Sequence, residues 1–198
     1  KRTGGRYQID VYPASQLGKE NDINQGLSLG TVDIIISGSS FAAKAFPRIG
    51  VTYYPYTFRD ADHVLKYAKS DVFKELTDGY KAKTGIQTVA VTYYGARHTT
   101  AQKPFTDCAG MKGLKIRVVG SPLFLDTFTA LGANPTQMSW ADAQPALSSG
   151  AVDGQENPLF LFNVLKMQNV GQKFVTAWGY VADPLIFVVN KDIWNSWT

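Results

Sequence analysis

GLKIRVVGSP (Gly113–Pro122) and, one helix-length later, MSWADAQPALSSGAVDGQENP (Met138–Pro158) are the stretches whose reading decides the fold. The first sets Arg117 among Ile116, Val118 and Val119, an otherwise apolar strand pattern. Ser121 and Pro122, at the N-cap and first helical position, then open a helix over Leu123–Leu131, closed by Gly132. The second ends in a polar turn, Gly154-Gln155-Glu156-Asn157, running into a helix start at Pro158. An arginine in a strand is costly to bury unless an anion meets it. Its planar fork suits a carboxylate held by two parallel hydrogen bonds. A site for a small organic anion is the first expectation.

Working outward, strands alternate with helices. Tyr7–Tyr12 alternates as a strand, and Pro13-Ala14-Ser15-Gln16-Leu17-Gly18 breaks it. A helix over Glu20–Leu29 ends at Gly30, a suitable C′ glycine. Val32–Ile36 is a continuous apolar run, which reads as a strand buried on both faces. Gly38-Ser39-Ser40 turns into a short helix at Phe41–Ala45. Ala61–Lys83 reads as one long helix, with Leu65, Ala68, Val72, Leu76 and Tyr80 on one stripe. Gln87–Tyr94 is a strand, Ser139 and Asp142 suit a capping box, Leu159–Met167 is a helix, and Pro184–Asn190 returns to strand. This alternation implies an α/β fold with mostly parallel sheets and flanking helices. No internal repeat or low-complexity segment interrupts it.

Composition excludes several functions. With 44% hydrophobic and 18% charged residues in 198, the chain can bury a sizeable core. A net charge of +4 raises nucleic acid as a partner, but the lysines are scattered singly, so no nucleic-acid binding is expected. One cysteine, Cys108, permits neither an internal disulfide nor a cysteine zinc cluster. His63 and His98 lack metal-ligand spacing, and Cys108 with His98 has no nucleophile signature around it. No phosphate-cradling glycine loop follows a strand. No cofactor and no metal are expected.

The blocks GLKIRV (Gly113–Val118) and AVDGQENP (Ala151–Pro158), with YQIDVYPASQLGKE (Tyr7–Glu20), GTVDIIISGSS (Gly30–Ser40) and WGYVADPLIFVVNK (Trp178–Lys191), resemble the solute-binding subunit of tripartite ATP-independent periplasmic (TRAP) transporters, dicarboxylate type. The resemblance spans essentially the whole chain. It implies a two-lobed periplasmic binding protein, type II-like, with a ligand cleft between the lobes and no enzymatic chemistry. Lobe one would run over Lys1–Tyr94, lobe two over Gly95–Val181, and Ala182–Thr198 would cross back. Relatives of this kind are longer at both ends, so an incomplete chain and a signal peptide in the precursor are expected. A periplasmic monomer handing a small organic acid to membrane permease subunits is the implied role. The ligand order expected is a C4-dicarboxylate or other small carboxylate, then a sugar acid, then a cyclic or aromatic acid. An enzyme on the same scaffold, and a receptor serving a signalling partner, are the alternatives.

The resemblance also implies roles for single residues. Arg117 would bind the ligand carboxylate, against the alternative of a structural arginine paired with Asp or Glu. Asn157 would contact the same carboxylate, and it also suits an N-cap before Pro158. Arg97, read as lying just past a strand, would reach the far end of the ligand, or else be an exposed loop arginine. Trp140 would pack over the ligand as an aromatic wall, and Trp178 would line a second segment with Tyr180. Ser39 would face the cleft from lobe one, or cap the helix that follows it.

Overall fold

A computed structural model describes residues 3–197; Lys1, Arg2 and Thr198, the outermost residues of the expected lobes, lie outside the described residues. The secondary structure runs α1 (Glu20–Leu29), β1 (Ile34–Gly38), α2 (Ser39–Ala42), α3 (Ala61–Tyr67), α4 (Asp71–Thr84), β2 (Gln87–Ala101) and β3 (Lys115–Val118). It continues through α5 (Pro122–Ala130), β4 (Asn134–Gln137), α6 (Trp140–Ser148), β5 (Gly154–Pro158), α7 (Leu159–Val164), β6 (Phe174–Val189) and α8 (Lys191–Trp197). The described strands form one six-stranded sheet in the order β1-β6-β2-β5-β3-β4. The α/β class holds, and the sheet is mixed rather than mostly parallel. Parallel pairing is confined to β3 with β4 and β3 with β5, while β1–β6, β2–β6 and β2–β5 are antiparallel.

Two long strands organise the molecule. β2 has 15 residues and β6 has 16, and they lie side by side through the middle of the sheet. At one end β6 pairs with β1, over a core of Leu27, Ile35, Leu76, Tyr80, Ile186 and Val188. Toward the other end β2 pairs with β5, beside a core of Ile116, Val118, Phe124, Phe128 and Tyr180. The β2–β6 register is irregular at Thr88/Ala90, Tyr93/Gly95 and Arg97/Thr99. Gly95 has φ +133°, and a Cβ there would stand 2.8 Å from Cβ of Pro158. Only glycine meets both demands without strain.

Several expectations are corrected. Tyr7–Tyr12 forms no strand: its alternating Ile9 and Val11 are 70% and 78% exposed, and no ladder partner lies alongside among the described residues. Alternation without a neighbour to bond to does not hold a strand. The apolar run of Val32–Ile36 is not a strand buried on both faces. It contributes to β1, an edge strand with Ile36 at 57% exposure. The single helix expected over Ala61–Lys83 is two. Ser70 ends α3 by donating to the Tyr67 carbonyl and caps α4 by accepting from the Phe73 N–H. Serine competes with the helix for backbone groups and so favours such a break. Gly154–Asn157, read as a turn, is the body of β5 and buried throughout.

Candidate functional site

β3, β4 and β5 run parallel, so their carboxyl ends meet at one edge of the structure. Each is followed by a helix, α5, α6 and α7 respectively. The crevice outside the carboxyl ends of such strands is where open α/β sheets place ligands. Arg117, near the end of β3, pairs with Gln155 of β5, and Asn157 lies two residues further along on the same face. Trp140 opens α6 immediately after β4.

Arg117 is 3% exposed and has no carboxylate within ion-pair distance among the described residues. Its Nε and Nη2 donate to the Met138 carbonyl at 3.0 and 2.7 Å, and its Cζ lies 5.2 Å from the centre of the Trp140 ring. Burial lowers its pKa to about 10, with Glu156 pulling the other way. A carbonyl dipole and an indole face are weak company for a buried cation. Nη1 is left with no protein acceptor among the described residues. This is a guanidinium held in place and not neutralised.

Arg97 lies in the opposite condition. It is not past a strand but within β2, and it is buried, not in a loop. Its Nε and Nη2 reach the two carboxylate oxygens of Glu156 at 2.5 and 2.8 Å, and its Nη1 donates to Asp183. Nη2 also donates to Oδ1 of Asn157 at 3.2 Å, and the guanidinium stands 5.1 Å over the Phe124 ring. Burial opposes its charge, but Glu156 and Asp183 outweigh burial and hold its pKa well above the usual value. The Tyr180 hydroxyl donates to Glu156 at 2.5 Å, and the Tyr53 hydroxyl donates to Asp183. Burial is the main reason both phenols sit well above the usual tyrosine pKa, and the adjacent carboxylates add to it. Glu156, Asp183 and Tyr53 were missed as members of a site, and Tyr180 was expected only to line it beside Trp178. All but Tyr53 lie in the quoted blocks, yet only the β2–β5–β6 register reveals which arginine the carboxylates neutralise.

Asn157 binds Arg97 on one side and, on the other, Gln155, the ladder partner of Arg117. It belongs to β5, and Pro158 is the N-cap of α7, so the N-cap reading of Asn157 does not hold. Its Oδ1 accepts from Arg97, and its Nδ2 donates to Oε1 of Gln155 at 2.7 Å. Gln155 in turn donates to Thr100, which donates to Gln172 at 2.8 Å. An amide nitrogen has two hydrogens, so one N–H of Asn157 remains to be offered.

The other expected residues are placed as follows. Ser39 is the first residue of α2, with Gly38 as N-cap, and its hydroxyl lies 2.6 Å from that of Thr52. Trp178 stacks on Tyr180 with centroids 4.4 Å apart and donates its Nε1–H to Thr99 at 3.0 Å. It stands with Phe128 in the second core rather than with Arg117. The capping box of Ser139 and Asp142 is half formed. Ser139 accepts from the Ala141 N–H, while Asp142 turns outward to Lys19 at 2.6 Å. Cys108 is exposed and free. Among the described residues no cluster of His, Cys, Asp or Glu could hold a metal, and no helix is long and apolar enough to cross a membrane.

Comparison with known proteins places the chain in a family. The family described as bacterial extracellular solute-binding protein, family 7 (DctP), matches residues 1–198. A TRAP periplasmic solute-binding protein of Ralstonia eutropha, solved with bound (S)-2-acetolactate, is 44% identical and superposes with a TM-score of 0.93 over 100% of this chain and 63% of that one. A TRAP periplasmic solute-binding protein of Roseobacter denitrificans, solved with bound L-galactonate, is 33% identical with a TM-score of 0.92, over 98% of this chain and 64% of that one. The C4-dicarboxylate-binding periplasmic protein DctP of Rhodobacter capsulatus is 32% identical over 196 residues, 98% of this chain and 58% of that protein. The chain thus spans about three fifths of the length of the relatives it matches.

Proposed function

The chain belongs to bacterial extracellular solute-binding protein family 7, and from that membership we propose that it captures a small organic acid and serves a TRAP-type membrane permease in the periplasm. One observation carries the reading: Arg117 is buried, fixed at the carboxyl end of a parallel strand, and has no carboxylate within ion-pair distance among the described residues. A ligand carboxylate supplies that anion. The spare N–H of Asn157 donates to the same carboxylate, and the Trp140 indole, already over the guanidinium, forms a wall beside it. Ser39 approaches from the side of β1 and α2, and Trp178 acts through its stack on Tyr180. These groups bind and position. None forms a nucleophile–base pair, and no turnover is proposed.

The lobes of this reading are 1–94 and 95–181, with 182–198 crossing back. The two boundaries fall opposite each other on the β2–β6 ladder, where Gly95 pairs with Asp183 and Ala96 with Ala182. Irregular register at Tyr93/Gly95 and Arg97/Thr99 makes this the place where the long strands can bend as the cleft closes.

For the ligand, the neutralised Arg97 favours a monocarboxylate, and the acids bound by two relatives favour one bearing a hydroxyl near its carboxyl group. Arg97 would be the natural partner of a second carboxylate, and it is already neutralised by Glu156 and Asp183. A further buried carboxylate there would meet two like charges. The relatives with bound acetolactate and L-galactonate support the same class. A C4-dicarboxylate is the second reading, favoured by the name of the Rhodobacter capsulatus relative.

A thermal-shift screen followed by calorimetry separates these readings. Ligand at a hundred times its Kd adds about 2.7 kcal/mol of stability, easily read as a raised Tm. Hydroxy- and sugar-acid monocarboxylates should shift the protein more than succinate or malate. Tighter binding of the dicarboxylates would establish the second reading, and no shift with any carboxylate would overturn both.

A further inference from the structure

Resting on that reading, we propose that Glu20 is a positioning residue for the site: it holds the Trp140 wall over Arg117 from the opposite side of the cleft. Glu20 is the first residue of α1, which packs through Leu27 into the core beside β1 and β6. Trp140 is the first residue of α6, whose Leu147 belongs to a separate cluster with Val152 and Met167. The two helix starts are 120 residues apart in sequence, yet the Glu20 carboxylate bridges them. Oε2 accepts from the Ser139 hydroxyl at 2.6 Å, and Oε1 accepts from the Trp140 backbone N–H at 2.8 Å.

A carboxylate at this place is doubly suited. The first N–H groups of a helix have no partner within it, and they carry the positive end of its dipole. α6 has nine residues, and its own N-cap, Ser139, accepts only from Ala141. Glu20 therefore supplies from another element the acceptor for Trp140 that the local sequence does not. The neighbouring pair Lys19–Asp142, also 2.6 Å, joins the same two helix starts but is exposed and contributes little.

The segment Met138-Ser139-Trp140 is thus held from two directions. Arg117 grips the Met138 carbonyl from within the sheet, and Glu20 grips Ser139 and Trp140 from α1. Between these anchors the indole is set 5.2 Å over the guanidinium. If the lobes separate, the Arg117 anchor stays with Trp140 and the Glu20 anchor leaves. The wall is then fully placed only in the closed arrangement, so the bulk of the ligand is tested at closure and not at first encounter.

The test compares Glu20→Ala and Glu20→Gln with the unaltered protein, each alone and combined with Trp140→Ala. Calorimetry over a panel of monocarboxylates differing in bulk next to the carboxyl group gives the ranking, and stopped-flow fluorescence gives dissociation rates. Glu20→Ala should change the ranking and speed dissociation by about fivefold or more, the scale of losing a helix cap. Glu20→Gln, which keeps one acceptor and the shape, should fall between. In the Trp140→Ala background, Glu20→Ala should leave the ranking as it is, because there is no indole left to place. Equal shifts in ranking in both backgrounds would mean that Glu20 acts independently of Trp140. Unchanged ranking and rates in the single variant would likewise overturn the proposal. If the unaltered protein binds no carboxylate, the receptor reading fails instead, which keeps the two failures distinct.

Discussion

Arg97 and Arg117 are both almost fully buried, at 4% and 3% exposure, and only one of them is neutralised. Around Arg97 the protein has assembled Glu156, Asp183, Tyr53, Tyr180 and Asn157, so that every nitrogen of the guanidinium has an acceptor. In contact with Arg117 are one backbone carbonyl and one indole, with Glu156 and Glu20 acting on it only from beyond ion-pair distance. The first arrangement is a structural joint that ties β2, β5 and β6 together where the two long strands are irregular. The second leaves electrostatic work undone, and an anion from outside can complete it. On the proposed reading, two identical side chains divide scaffold from function by the company they keep.

The largest effect expected from this contrast is on folding. Arg97→Met leaves Glu156 and Asp183 buried without their cation, which should cost about 3–5 kcal/mol in urea denaturation. A loss below about 1 kcal/mol, the range of exposed ion pairs, would place Arg97 among ordinary surface arginines. Next comes Arg117→Lys, which keeps the charge and removes the fork. It should weaken carboxylate binding by about 1.5–3 kcal/mol, the worth of hydrogen bonds to a charged group, with ligand-free stability little changed. Unaltered Kd by calorimetry would remove Arg117 from the site. Trp140→Ala should alter the order of ligands rather than carboxylate affinity as such, by roughly 1 kcal/mol for about 50 Å² of ligand surface. Uniform weakening across a panel would mean that Trp140 only packs.

The smallest effect is a pH dependence beside the joint. His98 Nδ1 accepts from the Gly179 N–H at 2.9 Å, a bond available only to the neutral imidazole. Burial lowers its pKa below the ordinary 6.5. The unfolded chain therefore binds this proton more readily than the folded one. The contribution is fully present above 6.5 and is lost as pH falls through the lowered folded value. Urea midpoints at pH 7.5 and 5.5 should draw closer together in His98→Asn than in the unaltered protein. An equal pH response in both would detach His98 from the effect.

Much of this architecture was legible in the residues. α1 and its glycine stop, the opening of α5 by Ser121 and Pro122, and Arg117 within β3 follow from caps and apolar pattern. What was not legible depends on neighbours. β2 and β6 each extend well beyond their expected stretches, because pairing with each other holds polar residues such as Thr99, Thr100 and Thr176 in strand. Gly154–Asn157 looks like a turn by composition, yet pairing with β2 and β3 makes it a buried strand. The difference between the two arginines is of the same kind. Both sit in polar–apolar surroundings along the chain, and only the fold brings Glu156 and Asp183 to one of them.

The most direct test of the central contrast is Arg117→Met, measured in two ways on one preparation: ligand-free stability by urea denaturation and carboxylate binding by calorimetry. A buried cation without an anion is a burden on the ligand-free fold. The account predicts that the variant is as stable as the unaltered protein or more so, and that carboxylate binding is lost. A variant that loses several kcal/mol of stability while still binding its carboxylate would contradict it, since Arg117 would then be the structural arginine and the ligand's anchor would lie elsewhere.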